Sequence, residues 1–147
     1  MKIRAIIPIA ALVVALAGCG SDDMTTLNPP PPTTTIPGNV DLSEAEWVDL
    51  TEEDAVLIQV RDNQFVPSHF VVAAGTPITI RNVGRNEHNA LPVADTEPFE
   101  PIEVEEFAPQ AEVEMTFSDP GEYPYPFYCS LHGTTSKGMV GAVRVVA

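Results

Sequence analysis

The chain has 147 residues and a formal net charge of −14, from 7 lysines and arginines against 21 aspartates and glutamates. An acidic surface repels phosphates, so the composition argues against nucleic acid as a partner. It favours solubility and electrostatic attraction of basic partners. The length is sufficient for one domain once the flanking segments are set aside.

Residues 1–18 are predicted to be a signal peptide. A short basic stretch with Lys2 and Arg4 precedes an apolar run that is too short to span a bilayer as a helix. The small residues directly before Cys19 resemble the lipobox of bacterial lipoproteins. This resemblance implies that Cys19 is lipidated, and that the protein is held on a membrane outside the cytoplasm. An ordinary signal peptide or a free Cys19 is the alternative.

Residues 19–40 are predicted to be a disordered linker. A run rich in proline and threonine over 28–38 has no hydrophobic period and cannot build a core. Proline-rich segments of this kind behave as semi-rigid, extended spacers. The globular domain is therefore expected to occupy residues 41–147.

Cys129 is expected to be an unpaired cysteine. The chain has 2 cysteines. If Cys19 carries lipid, then Cys129 has no partner in an oxidising compartment, which is unusual for an exported protein. Metal ligation would explain it, because a bound metal keeps the sulfur as thiolate. The alternative is a buried cysteine that acts as a small apolar residue.

Residues 41–147 are expected to be all-β. Short runs rich in β-branched and aromatic residues alternate with glycine and proline turns, which is typical of a β-sandwich. Strands are predicted at 55–60, 69–73, 77–83, 111–117, 123–129 and 140–146. Two pairs that resemble helix N-caps, Ser43 with Glu46 and Thr51 with Asp54, suggest one short helical turn near 44–49. Trp47 is expected to pack at the domain edge.

The strand before Cys129 carries a useful pattern. If Cys129 points inward, Tyr123, Tyr125 and Phe127 share its face, because side chains alternate along a strand. Pro124 and Pro126 then have the opposite parity and remove two ladder donors. This strand is therefore expected to be bulged or to lie partly at a sheet edge.

Four side chains form the candidate metal site. Two histidines, one cysteine and a weak axial methionine are the ligand set of blue-copper electron-transfer sites, and the candidates are His88, Cys129, His132 and Met139. Surface histidines and a core methionine are the alternatives. Met115 alternates with polar neighbours and is predicted to be core. His69 has no motif around it and is predicted to be structural or exposed.

The domain resembles the cupredoxin family of type 1 blue-copper proteins, nearest the plastocyanin and pseudoazurin group. The matching pieces are Asp62-Asn63-x-Phe65-x-Pro67, Gly75, Ile78-Thr79-Ile80-Arg81-Asn82, His88-Asn89, Pro120-Gly121-x-Tyr123, Tyr128-Cys129-x-x-His132 and Gly138-Met139-x-Gly141. The resemblance implies an eight-stranded Greek-key β-sandwich that binds one copper ion (Cu+/Cu2+) at one end. Six residues separate His132 from Met139, where these relatives have four, so the loop before Met139 is longer here.

The resemblance also implies roles around the copper. Asn89 would tie the two ligand loops together, and His132 would be the more exposed ligand. Electrons would pass through His132 and an apolar patch for which Leu131, Val140, Leu91 and Pro92 are candidates. Tyr128 matches a second electron entry position near acidic residues. The acid-rich segment from Glu97 to Glu106 would then steer a basic, cytochrome-like partner.

The sequence therefore predicts a monomeric, lipid-anchored electron carrier that exchanges single electrons with extracytoplasmic redox proteins and is not an enzyme. Copper storage or delivery to an oxidase is one alternative, although the chain lacks a cluster of methionines and histidines. A metal-free interaction domain of the same fold is another. A nucleophile pair of Cys129 and His88 lacks an orienting acid at a recognisable spacing.

Overall fold

Two mixed β-sheets make up the domain in a computed structural model that describes residues 38, 40–93, 98–117, 119–121 and 124–147. The strands are β1 (Val48–Asp49), β2 (Val56–Arg61), β3 (Gln64–Val66), β4 (His69–Ala73), β5 (Pro77–Asn82), β6 (Leu91–Pro92), β7 (Glu112–Thr116), β8 (Tyr125–Thr134) and β9 (Lys137–Val146). A 3-10 turn covers Val104–Glu106. The predicted signal peptide, Cys19 and nearly all of the predicted linker lie outside the described residues. Within those ranges, no helix is long and apolar enough to cross a membrane.

The strand order confirms the all-β sandwich. One sheet has the order β1-β4-β9-β8-β6, and the other has the order β3-β2-β5-β7. Three parallel pairs, β1 with β4, β2 with β5 and β4 with β9, require connections that cross between the sheets. All six predicted strands are present, whereas β1, β3 and β6 were not predicted. These three have only two or three residues, too few to show an alternating pattern.

The core lies between the inner faces of the two sheets. Ile58 and Ile80 of the four-stranded sheet and Phe70 and Val143 of the five-stranded sheet are fully buried. Each such side chain contributes roughly 1.5–3 kcal/mol when it is removed from water. Burial on alternate positions therefore fixes which residues of each strand point into the core.

Strand β8 follows the predicted parity. Phe127 and Cys129 are fully buried, and half-buried Tyr125 packs on the same core; Tyr123 lies outside the described residues. The carbonyl of Pro126 accepts a hydrogen bond from the amide of Val93 at 3.0 Å. A residue's amide and carbonyl point to the same side of a strand, so this proline lacks its donor where β8 faces the two-residue edge strand β6. The register with β9 is also broken by a bulge.

The predicted helical turn near residues 44–49 is wrong. The Asp41 carboxylate accepts hydrogen bonds from the amide and hydroxyl of Ser43, and Asp49 does the same for Thr51. Aspartate side chains that bind the backbone two residues on form turns that compete with a helix, and residues 48–49 pair with β4 instead. Trp47 lies at this edge, with its ring 4.7 Å from the Arg144 guanidinium.

Candidate metal centre

Three of the four predicted ligands meet at one end of the sandwich. His88 lies in the loop that follows β5, whereas Cys129 and His132 lie in β8. Their donor atoms all fall within 4.8 Å of one another. The Cys129 Sγ atom is 3.8 Å from Nδ1 of His88 and 3.6 Å from Nδ1 of His132. Residues 41 positions apart in the chain thus form one compact cluster of one sulfur and two nitrogen donors.

The donor spacing fits a metal ion. Typical metal–sulfur distances of about 2.3 Å and metal–nitrogen distances of about 2.0–2.1 Å, at tetrahedral or trigonal angles, place sulfur and nitrogen roughly 3.6–3.8 Å apart. Both observed sulfur–nitrogen distances lie in this range. Cys129 is a free, fully buried cysteine. The chemistry and the spacing of this donor set therefore suit a thiophilic metal held by one thiolate and two imidazoles.

The environment favours the neutral form of His88. Burial lowers the pKa of His88, and the nearby His132 lowers it further. A metal ligand must be the neutral imidazole, so a lowered pKa reduces the competition from protons. The other ring nitrogen of His88, Nε2, is buried and has no hydrogen-bond partner among the described residues.

The fourth predicted ligand, Met139, lies opposite the segment that contains Cys129 and His132. Strands β8 and β9 pair at Tyr128 with Val140 and pair again at Gly133 with Gly138. Residues 129–132 therefore form a bulge in β8, and Met139 is the single residue of β9 that lies opposite them. The Met139 side chain is 2% exposed and belongs to the same buried cluster as Cys129.

Met115 does not share this position. It pairs with Ile78 near the start of β5, whereas the His88 loop follows the end of that strand. Its side chain is buried in the sandwich core, as its alternation predicted.

Asn89 connects the two segments that carry the ligands. Its Oδ1 atom accepts a hydrogen bond from the Ser130 amide at 2.8 Å, and its Nδ2 group donates to the Ser130 hydroxyl at 2.9 Å. These bonds join the residue after His88 to the residue after Cys129. Bonds of this kind orient ligands and tune a bound metal.

Asn82, to which sequence reasoning gave no role, organises the His88 loop. This fully buried residue donates from Nδ2 to the carbonyl oxygens of Asn86 and Phe107, and its Oδ1 accepts from the Gly84 amide. Three loop segments are therefore held by one amide. A lone asparagine at the end of an apolar strand was the available signal, since buried amides are usually fully hydrogen-bonded.

The two histidines differ in exposure. His88 is fully buried, whereas His132 is half-buried beside Leu131, which is 51% exposed. Tyr128 is half-buried between its strand partners Leu91 and Val140. Of the residues predicted to form an apolar patch, Leu131 flanks His132, Leu91 and Val140 flank Tyr128, and Pro92 pairs with Phe127.

His69 lies outside this cluster. Its Nδ1 atom is 3.0 Å from the Ser68 hydroxyl, and its ring meets the Trp47 ring edge-on at a centroid distance of 5.6 Å. It is half-buried, and burial lowers the pKa of His69. These contacts indicate a packing role.

Comparisons with solved structures agree with this architecture. A reduced variant of amicyanin is similar with a TM-score of 0.53 and 21% identity, over 64% of this chain and 84% of amicyanin. A mutant fern plastocyanin gives a TM-score of 0.50 and 22% identity, over 61% of this chain and 99% of plastocyanin. At these identities the similarity shows the fold alone.

A copper-containing nitrite reductase from Thermus scotoductus is also similar, with a TM-score of 0.48 and 23% identity over 63% of this chain. The chain spans only 22% of that reductase. Among curated protein sequences, no significant match to this chain is found.

The sequence profile of the cupredoxin-like domain matches residues 33–142, which is more than half of the chain. The match extends over β1 to β8 and includes the loop with His88 and the bulge with Cys129 and His132. The two-sheet sandwich and the structural neighbours are consistent with it. The chain belongs to the cupredoxin family.

Proposed function

We propose that this protein is a mononuclear type 1 copper protein that carries single electrons between redox partners outside the cytoplasm. The observation that carries the proposal is the convergence of one buried sulfur and two imidazole Nδ1 atoms at metal-ligand spacing. His88, Cys129 and His132 would hold one copper ion, with Met139 as a weak axial ligand. Copper bound in this way supplies a one-electron Cu+/Cu2+ couple, because thiolate and imidazole suit both oxidation states.

The chain supports the ligands from two directions. Cys129 and His132 are carried by β8, which pairs with β9 on both sides of the bulge. His88 is held by the Asn82 and Asn89 hydrogen bonds. A ligand set fixed by a packed sandwich moves little when the metal changes charge, which favours rapid electron exchange.

His132 is the proposed exit for the electron. It is the only one of the three clustered ligands that is partly exposed in the structure, and exposed Leu131 lies beside it. A flat apolar contact at this point would let a partner's redox group approach the imidazole. Such a surface suits transient partners, because electron-transfer complexes are usually small interfaces.

Tyr128 is the proposed second route, with an acidic surface beside it. Ala90 bridges to Ile102, and the next residue, Leu91, pairs with Tyr128. The bridge is antiparallel, so exposed Glu100 precedes Ile102 on the side of Leu91, and the exposed acids Glu103, Glu105 and Glu106 follow it on the side of Asn89. This acidic segment would attract a basic redox protein toward the metal end of the domain, where the His88 loop and Tyr128 lie; Glu97 lies outside the described residues.

The proposal places the protein on a membrane surface by a lipid on Cys19. The support is the sequence pattern of residues 1–19, in which a basic stretch and an apolar run precede small residues and Cys19. Metabolic labelling with a radioactive fatty acid should label the wild-type protein, and Cys19→Ser should abolish the label. Equal labelling of this variant would contradict lipidation at Cys19.

Copper loading tests the site. The copper-loaded protein should show intense visible absorption from thiolate-to-copper charge transfer, and Cys129→Ser should remove it. Met139→Leu should keep the colour but change the band pattern and the reduction potential, because the axial ligand tunes both. Met115→Leu is the matched control, since it changes a buried methionine outside the site. A colourless wild-type complex, or colour retained in Cys129→Ser, would overturn the proposal.

A further inference from the structure

The six residues between His132 and Met139 form the closed tip of a hairpin. Gly133 pairs with Gly138, Thr134 pairs with Lys137, and residues 135–136 make the turn. The longer loop is thus folded back on itself. His132 and Met139 therefore lie directly next to the paired residues Gly133 and Gly138, although six residues separate them along the chain.

Both residues of that pair are glycines in very close contact with ligand backbone. A Cβ atom on Gly133 would lie 2.7 Å from the amide nitrogen of Met139, and a Cβ atom on Gly138 would lie 2.6 Å from the carbonyl oxygen of His132. Real Cβ atoms essentially never make contacts shorter than 3.0 Å. Gly138 also has φ +89, a conformation that favours glycine. Each glycine therefore lets one ligand residue approach across the hairpin.

We propose that Gly133 and Gly138, here termed the glycine clamp, are positioning residues that set where Met139 sits relative to His132. The inference rests on the proposed copper site. The bulge at 129–132 leaves Met139 without a paired residue in β8, so the ladder fixes it only through its two neighbours. Val140 is held by Tyr128 on one side, and Gly138 is held by Gly133 on the other. Loosening the clamp frees one of these two supports.

Alanine substitution of each clamp residue tests this role. In copper-loaded Gly133→Ala and Gly138→Ala, the charge-transfer band pattern and the reduction potential should both shift from the wild-type values, because a displaced axial sulfur alters them. Copper affinity should fall about 10- to 100-fold, the range typical for residues that orient metal ligands. Gly133 has no positive φ, so its effect would come from the collision alone.

Gly75→Ala is the matched control. Gly75 has φ +81, close to that of Gly138, but a Cβ atom there meets nothing within 4 Å. It lies in the turn between β4 and β5 and touches no ligand segment. This variant should lose thermal stability from the backbone strain that it shares with Gly138→Ala, while its copper spectrum and potential stay at the wild-type values.

A measurement on the metal-free wild-type protein decides the matter if the clamp variants do not fold. The clamp is built from backbone contacts of the chain, so hydrogen exchange at the paired residues of the hairpin tip, 133–134 and 137–138, should be slower without copper than exchange at the turn residues 135–136. Rapid exchange confined to 133–138 would contradict the clamp. Wild-type spectra and potentials in both glycine variants would also contradict it. Absence of the thiolate–copper band from the wild-type protein would instead refute the proposed function.

Discussion

Two buried asparagines hold the candidate site together at the scale of single residues. Asn89 joins the His88 loop to Ser130, and Asn82 joins the same loop to the segment that precedes β7. Each uses both ends of its side-chain amide. In a low-dielectric interior such satisfied amides hold a loop in place, and an unpaired partner would be costly.

We expect Asn82→Ala to lower the free energy of unfolding of the metal-free protein by roughly 2–4 kcal/mol, because two carbonyl oxygens and one amide lose their partner. Copper affinity should fall as well, since the His88 loop is no longer fixed. Asn86→Ala is the control: its exposed side chain donates a hydrogen bond to Asn63, and its carbonyl still accepts from Asn82. Denaturant unfolding would measure both variants, and equal losses in the two would contradict the role given to Asn82.

At the scale of elements, the site depends on an irregularity in an otherwise regular hairpin. Strand β8 was predicted to end at Cys129, but it continues to Thr134, because pairing with β9 resumes after the bulge. A bulge of four residues against one breaks the period of two on which strand prediction depends. The ligands themselves could be predicted, since the motif from Cys129 to His132 is local in the chain.

Other parts of the structure could not be read from local pattern. The role of Asn82 depends on a hydrogen bond to the Phe107 carbonyl, 25 residues away in the chain. Hydrophobic periodicity describes neighbouring residues and cannot predict a contact between such distant positions. Ser43 and Thr51 were predicted to be helix N-caps, yet their amides and hydroxyls donate to the carboxylates of Asp41 and Asp49. That Asn89 ties the two ligand loops together was expected from the family resemblance and not from the spacing.

The contact between β4 and the segment before β1 should make stability depend on pH. Burial lowers the pKa of His69 from 6.5, so the folded protein binds this proton less readily than the unfolded chain does. Stability should be fully present above about pH 6.5 and should fall as the pH drops below it. His69→Gln should reduce this fall in urea unfolding of the metal-free protein between about pH 8 and pH 5.

Asp41→Asn is the control for this pH dependence. Hydrogen bonds from Ser43 lower the pKa of Asp41 below 3.8, so it does not titrate in that window. The slope of stability against pH should therefore be unchanged in Asp41→Asn. A wild-type slope in His69→Gln would show that the histidine contact is not responsible.

At the scale of the whole molecule, charge decides which partners approach. The net charge of −14 attracts cations over a distance set by ionic strength. Three exposed acids, Glu103, Glu105 and Glu106, follow Ile102, which bridges antiparallel to Ala90, and so they run past Asn89 beside the His88 loop. The acids Glu52 and Glu53 precede β2, at the opposite end of that strand from the His88 loop.

We predict that a small cationic oxidant reacts with the reduced copper protein more slowly as salt is added, whereas ferricyanide reacts faster. Glu105→Gln with Glu106→Gln should weaken the salt dependence of the cationic reaction more than Glu52→Gln with Glu53→Gln does. The two double variants remove the same charge, so only position differs. Stopped-flow rates at several ionic strengths would measure this, and identical salt slopes would argue against an acidic flank beside the His88 loop.

The central claim is that this cupredoxin holds one copper ion and cycles it by one electron without releasing it. Redox titration of the copper-loaded full chain, with the visible band and the bound copper followed together, tests that claim most directly. The account predicts a reversible transition of one electron per chain, with the band lost on reduction, restored on oxidation, and copper retained throughout. Release of copper on reduction, or a complex without the thiolate band, would contradict it.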